Sequence, residues 1–171
     1  MAELTNNMNY LMPTGFKVVI DRENYPNLEF FCQSFQHPDM SMAPSEMPFR
    51  KVRNIPLPGG TLDFSDITMS IILDEDMKAY TEMHDWMKRL IDQPLTGALD
   101  RKAGVAPSTA DITLTILNSK NIAKTEIRFQ NVYPTSIGAL SYDIKASDVD
   151  YLQCTASFSY MYYDMVQIST T

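Results

Sequence analysis

Apolar and polar residues alternate along the C-terminal part of the chain, from residue 124 onward. Successive side chains of a β-strand point to opposite faces, so this pattern is typical of strands with one buried face. It predicts one strand up to a break at Tyr133-Pro134, a turn ending at Gly138, and a short strand over 139–147. A long final strand over 150–165 follows, and its apolar face carries Leu152, Cys154, Ala156 and Phe158.

Earlier segments show the same period. A first strand is predicted over 15–21 and a second from Leu28 to about Gln36. The clearest strand pattern lies within 61–76, where Ile67, Met69 and Ile71 alternate with polar residues. Residues 111–132 predict a hairpin with its turn near 118–121.

The period changes from two to helical spacing after residue 76. Met77, Tyr80, Met83, Met87 and Leu90 form an apolar stripe beside Trp86, the single tryptophan. Asp74, Glu75 and Asp76 precede this segment, which predicts that they cap the free N–H groups of a helix. The helix is expected to end before Pro94.

These elements predict a mainly β protein, a β-sandwich or barrel of about seven to eight strands with one flanking α-helix. With 171 residues, 44% of them hydrophobic and 20% charged, we expect a single domain over 1–171. Residues 1–13 are polar and rich in amides, and we interpret them as an N-terminal arm. The two cysteines, Cys32 and Cys154, favour buried free thiols over a disulfide.

Residues 37–60 form an extended loop containing five prolines. Proline lacks an N–H donor, so no continuous central strand fits, although Phe49 to Ile55 could form a short one. The loop carries adaptable apolar groups, which favour contacts over a passive linker: Met40, Met42, Met47 and Phe49. It also carries a basic cluster, which is either a solvated rim or a salt-bridge patch against an acidic neighbour: Arg50, Lys51 and Arg53.

No motif indicates catalysis, a metal site or a cofactor. His37 and His84 lack partners at ligand spacing, and Gly59-Gly60 is not followed by the Lys-Ser/Thr of a phosphate loop. The net charge of −7 disfavours general nucleic-acid binding, which depends on Lys and Arg. We see no cleavable signal or membrane-spanning run, so we expect synthesis in a cytoplasm.

Two stretches carry a resemblance to a known family. One is the strand over 61–76 that leads into the Trp86 helix. The other is the segment 126–140, with its Tyr133-Pro134-Thr135 to Gly138 turn, followed by the long final strand. Over roughly residues 14–163 the chain resembles the tail tube proteins of contractile-tailed, T-even-like bacteriophages.

The resemblance implies hexameric rings that stack helically into an inner tail tube of the virion, assembled in the host bacterial cytoplasm. Its partners would be further copies, the tail sheath, baseplate and tail terminator proteins. The tape-measure protein and then genomic DNA would pass through without specific binding, and 37–60 would connect rings. The inner sheet would come from strands near 28–36, 49–55, 111–117 and 124–132, with a lumen lined by Glu29, Gln33, Asp111, Thr113, Thr115, Glu126, Arg128 and Gln130.

Other functions stay open from sequence alone. A tube-initiator or baseplate protein would share this fold, and so would the tube protein of a type VI secretion system or of a phage-derived contractile particle. A monomeric β-barrel binding domain is an alternative of another class. An enzyme is the least favoured, because no histidine, carboxylate and nucleophile form a recognisable set.

Overall fold

The computed structural model describes residues 9–21, 23–30, 32–49, 53–92, 107–143 and 151–168. They contain eleven strands and two helices in the order β1 (Phe16–Val19), α1 (Pro26–Phe30), β2 (Cys32–Gln36), β3 (Met40–Ser41), β4 (Ser45–Phe49), β5 (Arg53–Leu57), β6 (Asp63–Phe64), β7 (Ile67–Ile72), α2 (Lys78–Asp92), β8 (Ala110–Leu117), β9 (Ala123–Ile137), β10 (Gln153–Ser159) and β11 (Tyr162–Gln167).

Seven strands form one large antiparallel sheet, which confirms the mainly β fold class. Its order is β1-β8-β9-β10-β7-β2, and β11 also pairs with β9. The first part of β9 pairs with β8 and β11, whereas its last part pairs with β10. β9 therefore joins two half-sheets. We call β1-β8-β9-β11 the first half-sheet and β9-β10-β7-β2 the second.

The passage of β9 between the half-sheets corrects the predicted break at Tyr133-Pro134. Pro134 lies inside the strand, opposite Phe158, where the register shifts. The extra residue is Thr135, whose hydroxyl donates to the Ser157 carbonyl at 3.1 Å. A bulge accommodates proline because it interrupts the ladder, so the missing N–H costs little there.

Pairing continues beyond β9, since the Gly138 N–H donates to the Thr155 carbonyl at 2.6 Å. The predicted turn ending at Gly138 is therefore wrong. Residues 139–143 form no strand, and the rest of the predicted strand over 139–147 lies outside the described residues.

The predicted final strand is two strands, because the chain bends at Met161 between β10 and β11. Its apolar face is confirmed: Cys154, Ala156 and Phe158 are buried opposite Ile71, Met69 and Ile67 of β7. The turn near 118–121 is also confirmed. The Asn118 carboxamide oxygen accepts from the N–H groups of Lys120 at 2.9 Å and Ile122 at 3.0 Å.

The predicted strand from Leu28 starts with helix α1 and becomes extended only at Cys32. Glu82 of α2 explains the helix, because its carboxylate accepts from the N–H groups of Asn27 at 3.2 Å and Leu28 at 3.3 Å. A side chain 55 residues away thus satisfies donors that a short helix leaves free.

Helix α2 follows the predicted stripe and is described up to Asp92, but the acidic residues before it do not enter its first turn. Met77 precedes the helix with φ 54°. Asp76 forms an ion pair with Lys78 at 3.0 Å, and Asp74 Oδ1 is buried with no hydrogen-bond partner in the described part of the chain. The predicted capping by the acidic cluster is therefore wrong.

The core lies between the half-sheets and is closed by α2. Ile112, Ile127 and Phe129 of the first half-sheet are buried with Ile67 and Met69 of the second, and Met83 and Trp86 of α2 join the same cluster. Trp86 is fully buried, and its Nε1 donates to the Ser108 carbonyl at 2.7 Å.

Cys32 and Cys154 are free thiols, as predicted. Both lie opposite Ile71, one on each side of β7. Two strand spacings put their Cα atoms roughly 10 Å apart, beyond the reach of a disulfide.

Candidate functional site: the outward face of the first half-sheet and the projecting ribbon

Six of the eight residues predicted to face a channel share one surface, the outward face of the first half-sheet. In β8 and β9 the alternate residues Ile112, Leu114, Ile127 and Phe129 are buried. Thr113 therefore lies opposite Arg128, and Thr115 opposite Glu126, on the other side of the sheet. These positions, with their neighbours on the same strands, are exposed or half-buried: Asp111, Thr113, Thr115, Glu126, Arg128 and Gln130.

The face also holds residues of the two outer strands that sequence reasoning missed. Lys17 lies opposite Thr115, and Asp164 lies opposite Arg128. Lys17 could have been found from sequence because it stands between two inward residues of β1, Phe16 and Val18. Asp164 was hidden because β11 was predicted as a continuation of β10.

Charges on this face nearly cancel. The Arg128 guanidinium donates to Glu126 Oε2 at 2.7 Å from Nη2 and 3.2 Å from Nε. A carboxylate therefore lies directly beside Arg128. Asp111 forms a hydrogen bond to the backbone instead, because its Oδ1 accepts from the Asn131 N–H at 3.1 Å. Asn131 has φ 52°, so Asp111 supports a left-handed residue where the β8 and β9 register shifts.

Two predicted channel residues do not join this face. Glu29 belongs to helix α1, because the predicted strand over 28–36 begins with a helix. Gln33 lies on β2 of the second half-sheet, where the register shifts between Cys32 and Ser34. The strand predicted over 49–55 is also wrong, since Phe49 pairs with Arg53 across two antiparallel strands.

The loop predicted over 37–60 takes part in two small ribbons, one within the loop and one with β6, which follows it. Met40 of β3 pairs with Phe64 of β6, and the Asp39 N–H donates to the Ser65 hydroxyl at 3.0 Å. These contacts close the base of the loop. His37 and Phe64 both pack edge-on against Tyr163 of β11, with centroids 5.3 Å and 5.6 Å away.

The second ribbon, β4-β5, is exposed along 45–48 and 54–57, and we call it the projecting ribbon. It has one apolar and one polar face. Met47 lies opposite Ile55, on the same face as Leu57, and all three are exposed. On the other face Asn54 Nδ2 donates to Glu46 at 2.7 Å. Arg50 and Lys51 lie outside the described residues, and so do the side chains of Phe49 and Arg53.

The described residues contain no group of three or more His, Cys, Asp or Glu side chains that could hold a metal ion. His84 Nδ1 lies 3.5 Å from Asp85 Oδ1 on the exposed side of α2. None of the helices in this part of the chain has the length and apolar content to cross a membrane.

Comparison with solved structures identifies the fold. One match is the cryo-EM structure of the anti-feeding prophage cap, with a TM-score of 0.68 and 16% identity over 97% of both chains. Another is the sheath-tube complex of an extracellular contractile injection system, PVC, in its extended state, with a TM-score of 0.67 and 17% identity over 94% of both chains. The PVC sheath/tube terminator gives a TM-score of 0.64 and 17% identity, covering 94% of this chain and 99% of that chain.

The chain has no match among curated protein sequences. The sequence profile of the phage tail tube protein family, however, matches residues 3–166, nearly the whole chain. Membership assigns a structural, non-enzymatic role in a phage tail or phage-tail-like particle. The chain therefore belongs to the phage tail tube protein family.

Proposed function

We propose that this chain is the subunit of the inner tube of a contractile phage tail. Copies form hexameric rings, the rings stack helically, and the tube serves as the conduit for DNA ejection. The sheath surrounds the tube, and baseplate and terminator proteins bind its ends. The tape-measure protein fills the lumen before the genome passes.

The observation that carries this proposal is the chemistry of the first half-sheet. Its inner face is buried in the subunit core, whereas its outer face carries short polar and charged side chains. Both outer strands, β1 and β11, are paired on one side only among the described residues. A half-sheet with a solvent-exposed polar face and two unpaired edges suits the wall of a channel built from several copies.

The charge of the outward face suits a channel for DNA. Asp111, Glu126 and Asp164 outnumber Lys17 and Arg128, and Glu126 already pairs with Arg128. Each free cation on a phosphate adds salt-dependent affinity, which would slow a sliding polymer. A face with its arginine neutralised lets DNA pass without holding it.

The projecting ribbon suits a contact between rings. It exposes Met47, Ile55 and Leu57 together on one face. Exposed apolar clusters of this kind mark sites of protein contact. The next ring is the occupant that a stacked tube provides.

The lumen assignment is tested by the double variant Asp111→Lys, Glu126→Lys, assembled into particles whose DNA ejection is then timed. We expect tubes to form and ejection to slow, because unpaired cations would contact phosphate. The matched control is Glu75→Lys, Asp85→Lys, which makes the same charge change at exposed positions around α2.

Unchanged ejection, with both lysines shown to face the channel, would mean that lumen charge does not govern passage. Lysines found on the outer wall of the tube would overturn the assignment of this face. Tubes that carry protein instead of DNA would point to a phage-derived injection particle.

A further inference from the structure

The projecting ribbon is joined to the rest of the subunit through a short, doubly held segment. The chain leaves the second half-sheet after β2 and returns to it at β7, and these two strands are neighbours. We call residues 37–41 and 63–65 the loop base. Besides the β3-β6 pairing, the Asp39 N–H donates to the Ser65 hydroxyl at 3.0 Å, and the Ser65 N–H donates to the Asp39 carbonyl at 3.2 Å. The two legs of the loop base therefore move as one body.

The loop base continues the second half-sheet but packs its rings on the first. His37 and Phe64 both meet the Tyr163 ring of β11 edge-on, with ring planes at 85° and 78°. His37 also lies 6.1 Å from Phe129 of β9 between ring centroids. Edge-on ring pairs are favourable beyond the area that they bury. Tyr163 thus holds the loop base in position on the first half-sheet.

Tyr163 is also the side chain that anchors β11. Of the six residues of this strand, Tyr163 is half-buried and the other five are exposed. Its ring packs against Phe129, its partner across the strands, at 5.4 Å, and against Tyr160 at 6.0 Å. A strand with few buried contacts opens more readily than a core strand. One ring therefore holds both the loop base and a strand that is otherwise held mainly by backbone pairing.

The two legs of the loop also touch between the loop base and the projecting ribbon. A Cβ at Gly59 would overlap the Ala43 carbonyl oxygen, so the legs meet there backbone against backbone. A Cβ at the next residue, Gly60, would meet open space. Only glycine permits so close an approach at residue 59. The legs are in contact at the loop base, at Gly59 and along β4-β5, so a shift of the loop base carries the ribbon with it.

We propose that Tyr163 is a positioning residue that joins β11 and the loop base into one cooperative unit, and that this unit positions the projecting ribbon. When β11 leaves β9, the loop base loses the ring on which it packs, and the ribbon loses its fixed direction. A subunit presents its ribbon for stacking only while β11 lies on β9. The stacking step rests on the proposed tube function, whereas the cooperative unit is a property of the single subunit.

Hydrogen exchange of the dilute, full-length subunit tests the cooperative unit. We expect Tyr163→Leu to speed amide exchange about tenfold both in 162–167 and in the loop base. Tyr163→Phe keeps the ring and should exchange like the wild type. Tyr162→Leu is the matched control, because it removes the neighbouring ring from the exposed side of the same strand, and it should also exchange like the wild type.

Phe64→Leu separates coupling from a local effect of Tyr163. Phe64 belongs to the loop base and is 43% exposed, so its replacement leaves the buried core intact. Removing its ring should speed exchange in β11 as well as in the loop base, because coupling between two segments is reciprocal. The hairpin turn at 118–121 has no contact with Tyr163 in the ring cluster and should exchange as in the wild type.

Stacking tests the positioning of the ribbon. Gly59→Ala should separate the two legs, because the added methyl overlaps the Ala43 carbonyl oxygen. We expect unchanged exchange in β11, rings that form normally, and an about tenfold higher protein concentration for tube formation. Gly60→Ala adds the same methyl into open space and should stack like the wild type.

The outcomes separate the cooperative unit from the tube. Faster exchange in both segments of Phe64→Leu, together with weakened stacking of Gly59→Ala, would establish the proposal. Faster exchange confined to the loop base in Phe64→Leu would overturn the coupling to β11. Stacking of Gly59→Ala at the wild-type concentration would overturn the positioning of the ribbon through its base. A wild-type protein that forms no tubes would contradict the proposed function, and the exchange measurements would still decide whether Tyr163 joins the two segments.

Discussion

Trp86 stacks face to face on Tyr25, with ring centroids 4.2 Å apart and ring planes 17° from parallel. Tyr25 directly precedes α1 and Trp86 lies in the middle of α2, so this pair joins the two helices. The Trp86 ring also packs against Phe158 of β10, with ring centroids 6.0 Å apart. The pair thereby ties the helices to the second half-sheet.

Removing the indole should destabilise the subunit strongly. We expect Trp86→Ala to lower the free energy of unfolding by about 3–5 kcal/mol, because the fully buried ring leaves a cavity and the hydrogen bond from its N–H to the Ser108 carbonyl is lost. Urea unfolding of the dilute subunit measures this. Tyr142→Ala, at a ring that is 71% exposed, is the control and should change stability by no more than about 0.5 kcal/mol. Equal effects of the two changes would contradict the role of Trp86.

Replacing Tyr160 should not lower the free energy of unfolding, in contrast to replacing Trp86. Its hydroxyl is buried and has no hydrogen-bond partner among the residues that the structure describes. Burial, then the charges of Tyr163, Asp66 and Asp39, raise the pKa of Tyr160 to about 12. Tyr160→Phe removes an unsatisfied polar group, so we expect equal or higher stability at neutral pH.

The raised pKa of Tyr160 also gives a pH dependence. The unfolded phenol loses its proton near pH 10, whereas the folded one keeps it to about 12. The stability that the protonated Tyr160 contributes is fully present below pH 10 and is lost as pH rises toward 12. The melting temperature, measured from pH 8 to 11.5, should fall less steeply with rising pH in Tyr160→Phe than in the wild type. The same slope in both would show that Tyr160 does not contribute.

The two cysteines should react only when the subunit opens. Burial raises the pKa of Cys32 to about 11 and raises that of Cys154, so little thiolate forms at neutral pH. We expect a thiol-reactive disulfide reagent to modify both cysteines quickly in urea and slowly in buffer. Oxidising conditions should leave the melting temperature unchanged, and a new intramolecular disulfide would contradict the strand order around β7.

The projecting ribbon should control stacking without controlling folding. The variant Met47→Ser, Ile55→Ser, Leu57→Ser removes the apolar face of β4-β5, whose three side chains are exposed. We expect unchanged melting of the subunit and rings that fail to stack, as seen by electron microscopy. Asn54→Ser alters the opposite face of the same ribbon and should stack normally. Long tubes formed by the triple variant would exclude this ribbon as the ring-to-ring contact.

Local patterns predicted the buried strands and the long helix well. The alternation around Ile67, Met69 and Ile71 has one physical solution, a strand with one face in the core. Helix α1 could not be predicted the same way, because Glu82, far away in the chain, supplies the acceptor for its first N–H groups.

Prolines led to wrong predictions in two places, the bulge of β9 and the β4-β5 ribbon. Pro134 is tolerated beside the extra residue Thr135, and Pro48 and Pro56 lie in a ribbon with only two strands. The outward polar face was found from parity in β8 and β9. Its outer members, Lys17 and Asp164, depend on which strands are neighbours, and pairing across the sheet is not encoded in local period.

Electron microscopy of the purified full-length protein, alone and with a baseplate complex, tests the tube function most directly. We predict six-fold rings in the protein alone and tubes of uniform diameter when the baseplate is supplied. A folded protein that stays monomeric at high concentration, and forms no polymer on the baseplate, would contradict the proposal.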